Sequence, residues 1–247
     1  MDPRLAREYK HHEEKHWWFR VREQIIVRSL RSRLERSQGL RILDVGSGGG
    51  GTSKALAALG EVTCVEPSPE LYEALRQTSD FPVVHGSILE LPFADGEFDL
   101  VCAFDVVEHV DQDSRAAAEL ARVCKTGGMV AITVPAFQSL WSHHDEINHH
   151  FRRYRAPQLK RLFCPPLYLT YSTYFNTLLF APIWLFRRLS GFFPQRARET
   201  SSGSDFSMLP HPLVSAFFYQ LFSLELFWLP RKSFPFGVSL LQLYSKV

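Results

Sequence analysis

The amino-acid sequence predicts an α/β protein built on a parallel sheet with helices over both faces. Two observations carry that reading. From residue 40 onward, short apolar runs alternate with helical segments, and the first run ends in a cluster of glycines. Short buried strands separated by helices imply βαβ units, with right-handed crossovers. Composition agrees: hydrophobic residues make up 45% and charged residues 22% of 247, which excludes a chain disordered throughout.

The elements follow in order. Residues 4–36 carry dense Arg, Lys, Glu and His around an apolar minority, the pattern of amphipathic helix in one or two pieces, with Gly39 as a stop. Residues 40–45 read as strand, 52–59 as Ala/Leu-rich helix, 61–65 as strand, 69–78 as helix and 82–85 as strand. Residues 98–104 are a strand, 114–124 a helix and 129–134 a strand. Beyond Pro135, residues 141–155 are polar and aromatic together, 157–163 suit a short helix and 167–174 a strand. Residues 175–189 and 213–229 are apolar helix candidates separated by a polar, mobile linker at 195–205, and residues 238–244 form a last strand. The domain organisation expected is a helical cap over 1–37, a core over 38–174, an apolar helical insertion over 175–232 and a return to the core over 233–247.

Residues 163–186 contain no acidic or basic side chain, long enough to span a bilayer, but Pro165, Pro166 and Pro182 interrupt them, and the second apolar segment carries Gln220 and Glu225. Core helices, or helices at a membrane interface or an apolar substrate site, are the expectation. Net charge is only +2, which argues against a dedicated nucleic-acid binder. Cys64, Cys102, Cys124 and Cys164 form no C-x-x-C pair, so a reducing, cytoplasmic setting is expected. The N-terminus has charges where a signal peptide needs an apolar stretch.

The strongest signal is Leu43-Asp44-Val45-Gly46-Ser47-Gly48-Gly49-Gly50-Gly51, which follows a strand and opens a helix. Glycines there admit positive φ and let a ligand lie against the backbone. Two ligands fit the spacing. Gly46, Gly48 and Gly51, with Glu66 further on, satisfy the dinucleotide pattern of a nicotinamide oxidoreductase. Gly46, Gly48 and Gly50 give G-x-G-x-G, which resembles the first motif of class I S-adenosylmethionine (SAM) methyltransferases. Charge favours the second: a pyrophosphate disfavours a nearby carboxylate, whereas the sulfonium and ammonium of SAM suit Asp44. The run LPFADGEFDLVCAF at 91–104, then DVVEHV, then Lys125-Thr126-Gly127-Gly128, continues the resemblance across about residues 38–136.

That resemblance implies a Rossmann-like sheet of seven strands with the last antiparallel, and SAM as cofactor. It implies cofactor contacts from Asp44, Gly46, Ser47, Gly48 and Gly50, with Glu66 on the ribose beside Pro67. Gly86, Ser87 and Ile88 would meet the adenine, although Ser87 stands where many members carry an acid, and Asp105 would face the cleft. His16-Trp17-Trp18-Phe19 resembles a cap of some bacterial members. There Trp17 would face the sulfonium and Arg22 clamp the methionine carboxylate, unless the tryptophans simply anchor the helix.

Methyl transfer needs acceptor, methyl carbon and sulfur aligned, and often a base. Two clusters offer one. Asp105, Glu108 and His109 follow the fourth strand; Glu108 would touch the acceptor and His109 suits proton transfer, or both merely start a helix. Some ubiquinone-pathway O-methyltransferases hold a divalent ion on a similar stretch, but no metal is assigned here. The second cluster, residues 143–154, resembles a stretch of many bacterial members: His144 and Asp145 as base and orienter, His150, Arg153 and Tyr154 as acceptor contacts, or else a surface loop held by ion pairs. The expected activity is methyl transfer from SAM to an oxygen on a small or lipid-linked acceptor, with peripheral membrane contact through the apolar insertion. A SAM-binding module without transferase activity is the rival.

Overall fold

The computed structural model describes residues 15–35, 38–190 and 211–247. The polar linker at 195–205 and the first fourteen residues of the expected cap lie outside the described residues. Strands β1 (Leu40–Val45), β2 (Gly60–Glu66), β3 (Val83–His85), β4 (Phe98–Phe104), β5 (Cys124–Pro135), β6 (Leu167–Phe175) and β7 (Ser239–Lys246) form one sheet in the order β3-β2-β1-β4-β5-β7-β6. Only β7 is antiparallel to its neighbours β5 and β6; the other pairs are parallel. Helices α1 (Trp17–Arg31), α2 (Gly51–Leu56), α3 (Pro69–Thr78), α4 (Asp113–Val123), α5 (His143–Ile147), α6 (Ala156–Leu162), α7 (Phe180–Ser190) and α8 (Pro212–Ser223) accompany it.

Side chains alternate between the two faces of a strand, and the core divides accordingly. Leu43, Val45, Val101, Ala103, Val130 and Ile132 face the layer made by Ala116, Ala117, Leu120 and Val123 of α4. Ile42, Cys64, Leu100, Cys102 and Ala131 face Val21, Ile25, Ile26 and Leu30 of α1, together with Leu56 and Leu59. Helix α1, within the expected cap, thus buries an apolar stripe as a layer of the core.

Two boundaries differ from the sequence reading. The helix expected over 52–59 stops at Leu56, because Gly60 must pair with Leu40; a Cβ there would lie 2.0 Å from the Leu40 carbonyl oxygen. The glycine turn expected before the fifth strand is absorbed into β5 as an irregularity, with the register slipping between Phe98 and Leu100 of β4.

The described residues of the apolar insertion are packed at some positions and exposed at others. Trp17 stacks on Phe218 at 5.3 Å, and Phe222 is buried. Glu225, fully buried just beyond α8, accepts the backbone amides of Asn176 (2.8 Å), Thr177 (2.6 Å) and Leu178 (3.1 Å) where β6 ends. Leu213, Val214, Phe217, Leu224, Phe227 and Trp228 are exposed. No helix among the described residues is long and apolar enough to cross a membrane.

Glu225 ties the insertion to the sheet with charge-assisted hydrogen bonds, and its loss leaves three amides without an acceptor. Glu225→Ala is expected to cost about 2–4 kcal/mol in urea unfolding while the far-ultraviolet dichroism keeps its α/β shape.

Candidate functional site

The chain leaves β1, runs outward through β2 and β3, and returns to β4 beside β1, so the strand order reverses between β1 and β4. Open α/β sheets bind ligands at the carboxyl ends of the strands at such a point. Here the glycine loop meets the turn after β4. Gly46 has φ +73°, and a Cβ on it would lie 2.5 Å from Val106 Cγ2. Gly50, at φ +81°, caps the start of α2 in a left-handed conformation.

Two carboxylates line this half. Asp44 is buried at the end of β1 and accepts a 2.5 Å hydrogen bond from the Ser53 hydroxyl. Burial raises its pKa to about 6, against the lowering effects of Ser53 and the Arg22 charge. Glu66 is buried at the end of β2; one oxygen accepts the Gly48 amide at 2.9 Å and the other the Ser68 amide at 3.0 Å. Burial pushes Glu66 upward too, with those amides opposing. Ser47 is buried and its hydroxyl donates to the Val65 carbonyl. Beyond β3, Gly86 is half-buried. Ser87 is exposed and its hydroxyl accepts the Leu89 amide. Ile88 points into the core, so it is a packing residue rather than an open adenine contact. Pro67 is exposed, and its carbonyl pairs with the His85 ring at 3.0 Å.

Arg22 reaches into this crevice from α1. Its guanidinium contacts Asp105 at 2.5 Å, donates to the hydroxyls of Thr52 (3.2 Å) and Thr133 (3.3 Å), and lies over the Trp18 ring. Asp105 has φ +56°, an uncommon conformation for a non-glycine residue. Arg22 therefore links α1 to the first turn of α2, to β5 and to the turn after β4. Trp17 is committed to Phe218 and Phe222, so the role expected for it over the cofactor is replaced by anchoring α8.

The second half gathers the turn Val107–His109 and the segment after β5. The Phe151 amide donates to the Glu108 carbonyl at 2.8 Å, which fastens the two together. Glu108 is fully buried; both its carboxylate oxygens lack a hydrogen-bond partner, and burial raises its pKa well above the usual range, helped by Asp105. His109 is exposed, and partial desolvation of its ring, with like-charge repulsion from His150, lowers its pKa to about 4.

Asp145 does not orient His144, as the sequence reading expected. It is fully buried and holds His150 Nδ1 at 2.9 Å and the Arg153 guanidinium through two bonds of 2.7 and 3.0 Å. Burial pushes its pKa up, but His150, Arg153 and the Ser142 amide outweigh that and hold it well below the carboxylate range. His144 contacts Asn148 instead. Arg153 also donates to the Ala136 carbonyl, and Tyr154 is buried and donates to Asp113, so both brace the segment from inside rather than facing an acceptor. The association of Glu108, His109 and His150 was not legible in the sequence, because it depends on a chain reversal at His149, where φ is +55°.

Residues 43–132 match a family model described as a methyltransferase domain. The chain is 36% identical over 129 residues to a malonyl-[acyl-carrier protein] O-methyltransferase of Enterobacter lignolyticus, covering 49% of this chain and 51% of that protein. It is 33% identical over 119 residues to a demethylmenaquinone methyltransferase of Staphylococcus aureus, covering 42% and 49%. The chain thus spans about half the length of the curated relatives it matches. A solved geranyl diphosphate methyltransferase in complex with SAM superposes with TM-score 0.59 at 15% identity, covering 92% of this chain and 84% of that one, a likeness of fold.

The Asp145–Arg153 pair makes a stability prediction. A carboxyl held below its unfolded value of about 3.9 stabilises the fold above roughly pH 4, and that contribution is lost as the pH falls further. Arg153→Ala leaves a buried carboxylate without its main counter-charge and should cost about 3–5 kcal/mol at neutral pH. Urea melts at pH 7 and pH 3 should show that deficit shrinking in acid.

Proposed function

We propose that this chain, whose residues 43–132 match a family model described as a methyltransferase domain, is a class I SAM-dependent methyltransferase that binds SAM at the β1/β4 crevice and transfers its methyl group to an acceptor held by the segment after β5. One observation carries the choice of cofactor. The Gly48 amide, which a dinucleotide would need for its pyrophosphate, is already engaged by the Glu66 carboxylate, and Asp44 is buried beside the same loop. A phosphate brought there would meet two carboxylates. A ligand with a ribose diol and two positive centres would be favoured.

In this reading Glu66 accepts the ribose hydroxyls on its outward lone pairs, and Asp44 accepts the methionine ammonium. Arg22 exchanges part of its contact with Asp105 for the methionine carboxylate. Backbone from Gly46 to Gly50 lies under the ligand, and Gly86 and Ser87 border the adenine. When bound, SAM supplies an electrophilic methyl carbon; the chain's own groups orient it and keep water from the buried carboxylates.

An oxygen acceptor on a small or lipid-linked molecule is the finer proposal. Its lipid-linked part is supported by the exposed Leu213, Phe217, Leu224, Phe227 and Trp228, with Arg231 and Lys232 a few residues further on, a combination suited to an apolar molecule or an anionic lipid surface. The relatives named above include an O-methyltransferase and a demethylmenaquinone methyltransferase.

Calorimetry with SAM, S-adenosylhomocysteine and NADH tests the cofactor. SAM and S-adenosylhomocysteine should bind in the micromolar range and NADH should not. Glu66→Gln should weaken SAM about tenfold to a hundredfold, the equivalent of one or two charge-assisted hydrogen bonds. The pH dependence has a definite sign. An ammonium prefers the ionised form of Asp44, whose pKa lies at about 6, so SAM affinity should fall as the pH drops through that value. Asp44→Asn should remove that dependence. Flotation with anionic liposomes tests the lipid surface: the intact protein should float, and Phe217→Ser with Phe227→Ser should not.

A further inference from the structure

We propose that Glu108, His109 and His150 form a binding site for one divalent transition-metal ion. One potential ligand atom from each of the three residues lies within 4.8 Å of the others. The two imidazole rings stand edge to face with centroids 4.5 Å apart. Glu108 is fully buried, and both of its carboxylate oxygens lack a hydrogen-bond partner. A buried carboxylate with no donor is costly unless a cation or proton neutralises it.

The surroundings are those of a ligand set held in advance. Histidines that bind metals commonly donate their other ring nitrogen to a carboxylate or a backbone carbonyl, which fixes tautomer and direction. His150 does this through Nδ1 to Asp145 at 2.9 Å, and Asp145 is locked by Arg153 and the Ser142 amide. That leaves His150 Nε2 for the ion. The His109 ring interacts with the Asn148 backbone. Asp105 is ion-paired with Arg22 and stands outside this group of three. The third ligand comes instead from the segment after β5.

Two nitrogens and one carboxylate suit zinc, iron(II), cobalt(II) or manganese(II) rather than magnesium or calcium, which take mostly oxygen. Three protein ligands leave positions open, and the site reaches solvent at His109. If the methyl-transfer reading above holds, on which this last step rests, an acceptor hydroxyl could occupy an open position. The ion would lower its pKa, the proton leaving to solvent. The ion site itself does not depend on that reading.

The test uses untagged full-length protein stripped with EDTA and titrated with ZnCl2 by calorimetry, without SAM. One equivalent of zinc should bind, and MgCl2 in parallel should not. Glu108→Gln and His150→Ala should each weaken zinc at least about a hundredfold, beyond the range typical for losing only a supporting residue. His143→Ala, exposed and paired with Glu146, should match the unaltered protein. No zinc binding, binding unaffected by both substitutions, or magnesium binding as tight as zinc would overturn the proposal. If the variants lose their folded dichroism, ring-nitrogen NMR of the unaltered protein decides. Zinc should shift His109 and His150; shifts confined to other histidines would reject the site. SAM titration of the stripped protein separates the two claims: zinc without SAM binding removes the methyl-transfer reading alone, and SAM without zinc binding removes the ion site alone.

Discussion

Carboxyl groups buried at and just beyond the carboxyl ends of the central strands are the constraint around which the rest of this structure is arranged. Asp44, Glu66, Glu108 and Asp145 are each less than 5% exposed. A carboxylate taken out of water must be paired, hydrogen-bonded or protonated. The four solve this differently. Asp145 has a guanidinium and a histidine, Glu66 has two backbone amides, and Asp44 has a hydroxyl with Arg22 nearby. Glu108 has no hydrogen-bond donor on either oxygen. The groups least compensated by the protein are therefore those with most to gain from an incoming cation. Asp145, the best compensated, serves as scaffold.

This difference connects fold to chemistry. The parallel topology brings Asp44 and Glu66 to neighbouring strand ends, because β1 and β2 pair in register from Leu40↔Gly60 to Val45↔Val65. The return of the chain at β4 adds the turn carrying Asp105 and Glu108. Helix α1, packed through Ile25, Ile26 and Leu30, brings Arg22 to the same point, so that an N-terminal side chain belongs to the crevice. Packing on one face of a helix thus fixes the position of a charge on its edge.

Much of this was legible in the sequence, for identifiable reasons. The helix at residues 69–78 has a serine N-cap, a proline in its first turn and an early glutamate, signals that act locally. The strand at 98–104 is a continuous apolar run apart from Asp99, and the glycine loop declared itself by density. What stayed hidden depends on contacts distant along the chain. Nothing in the spacing of Asp145 and His150 announces their bond, which needs the left-handed backbone at His149. Trp17 was ambiguous until Phe218 was seen against it. Arg153 and Tyr154 were expected as acceptor contacts because of the motif they share, yet both are buried supports.

The most direct measurement is a crystal structure grown with S-adenosylhomocysteine and zinc, with anomalous-difference data at the zinc edge. The ligand's amino group is expected on Asp44, its ribose hydroxyls on Glu66, and one anomalous peak bounded by Glu108, His109 and His150. Adenosine density away from the β1/β4 crevice, with no cationic group beside any of the under-compensated carboxylates, would contradict it.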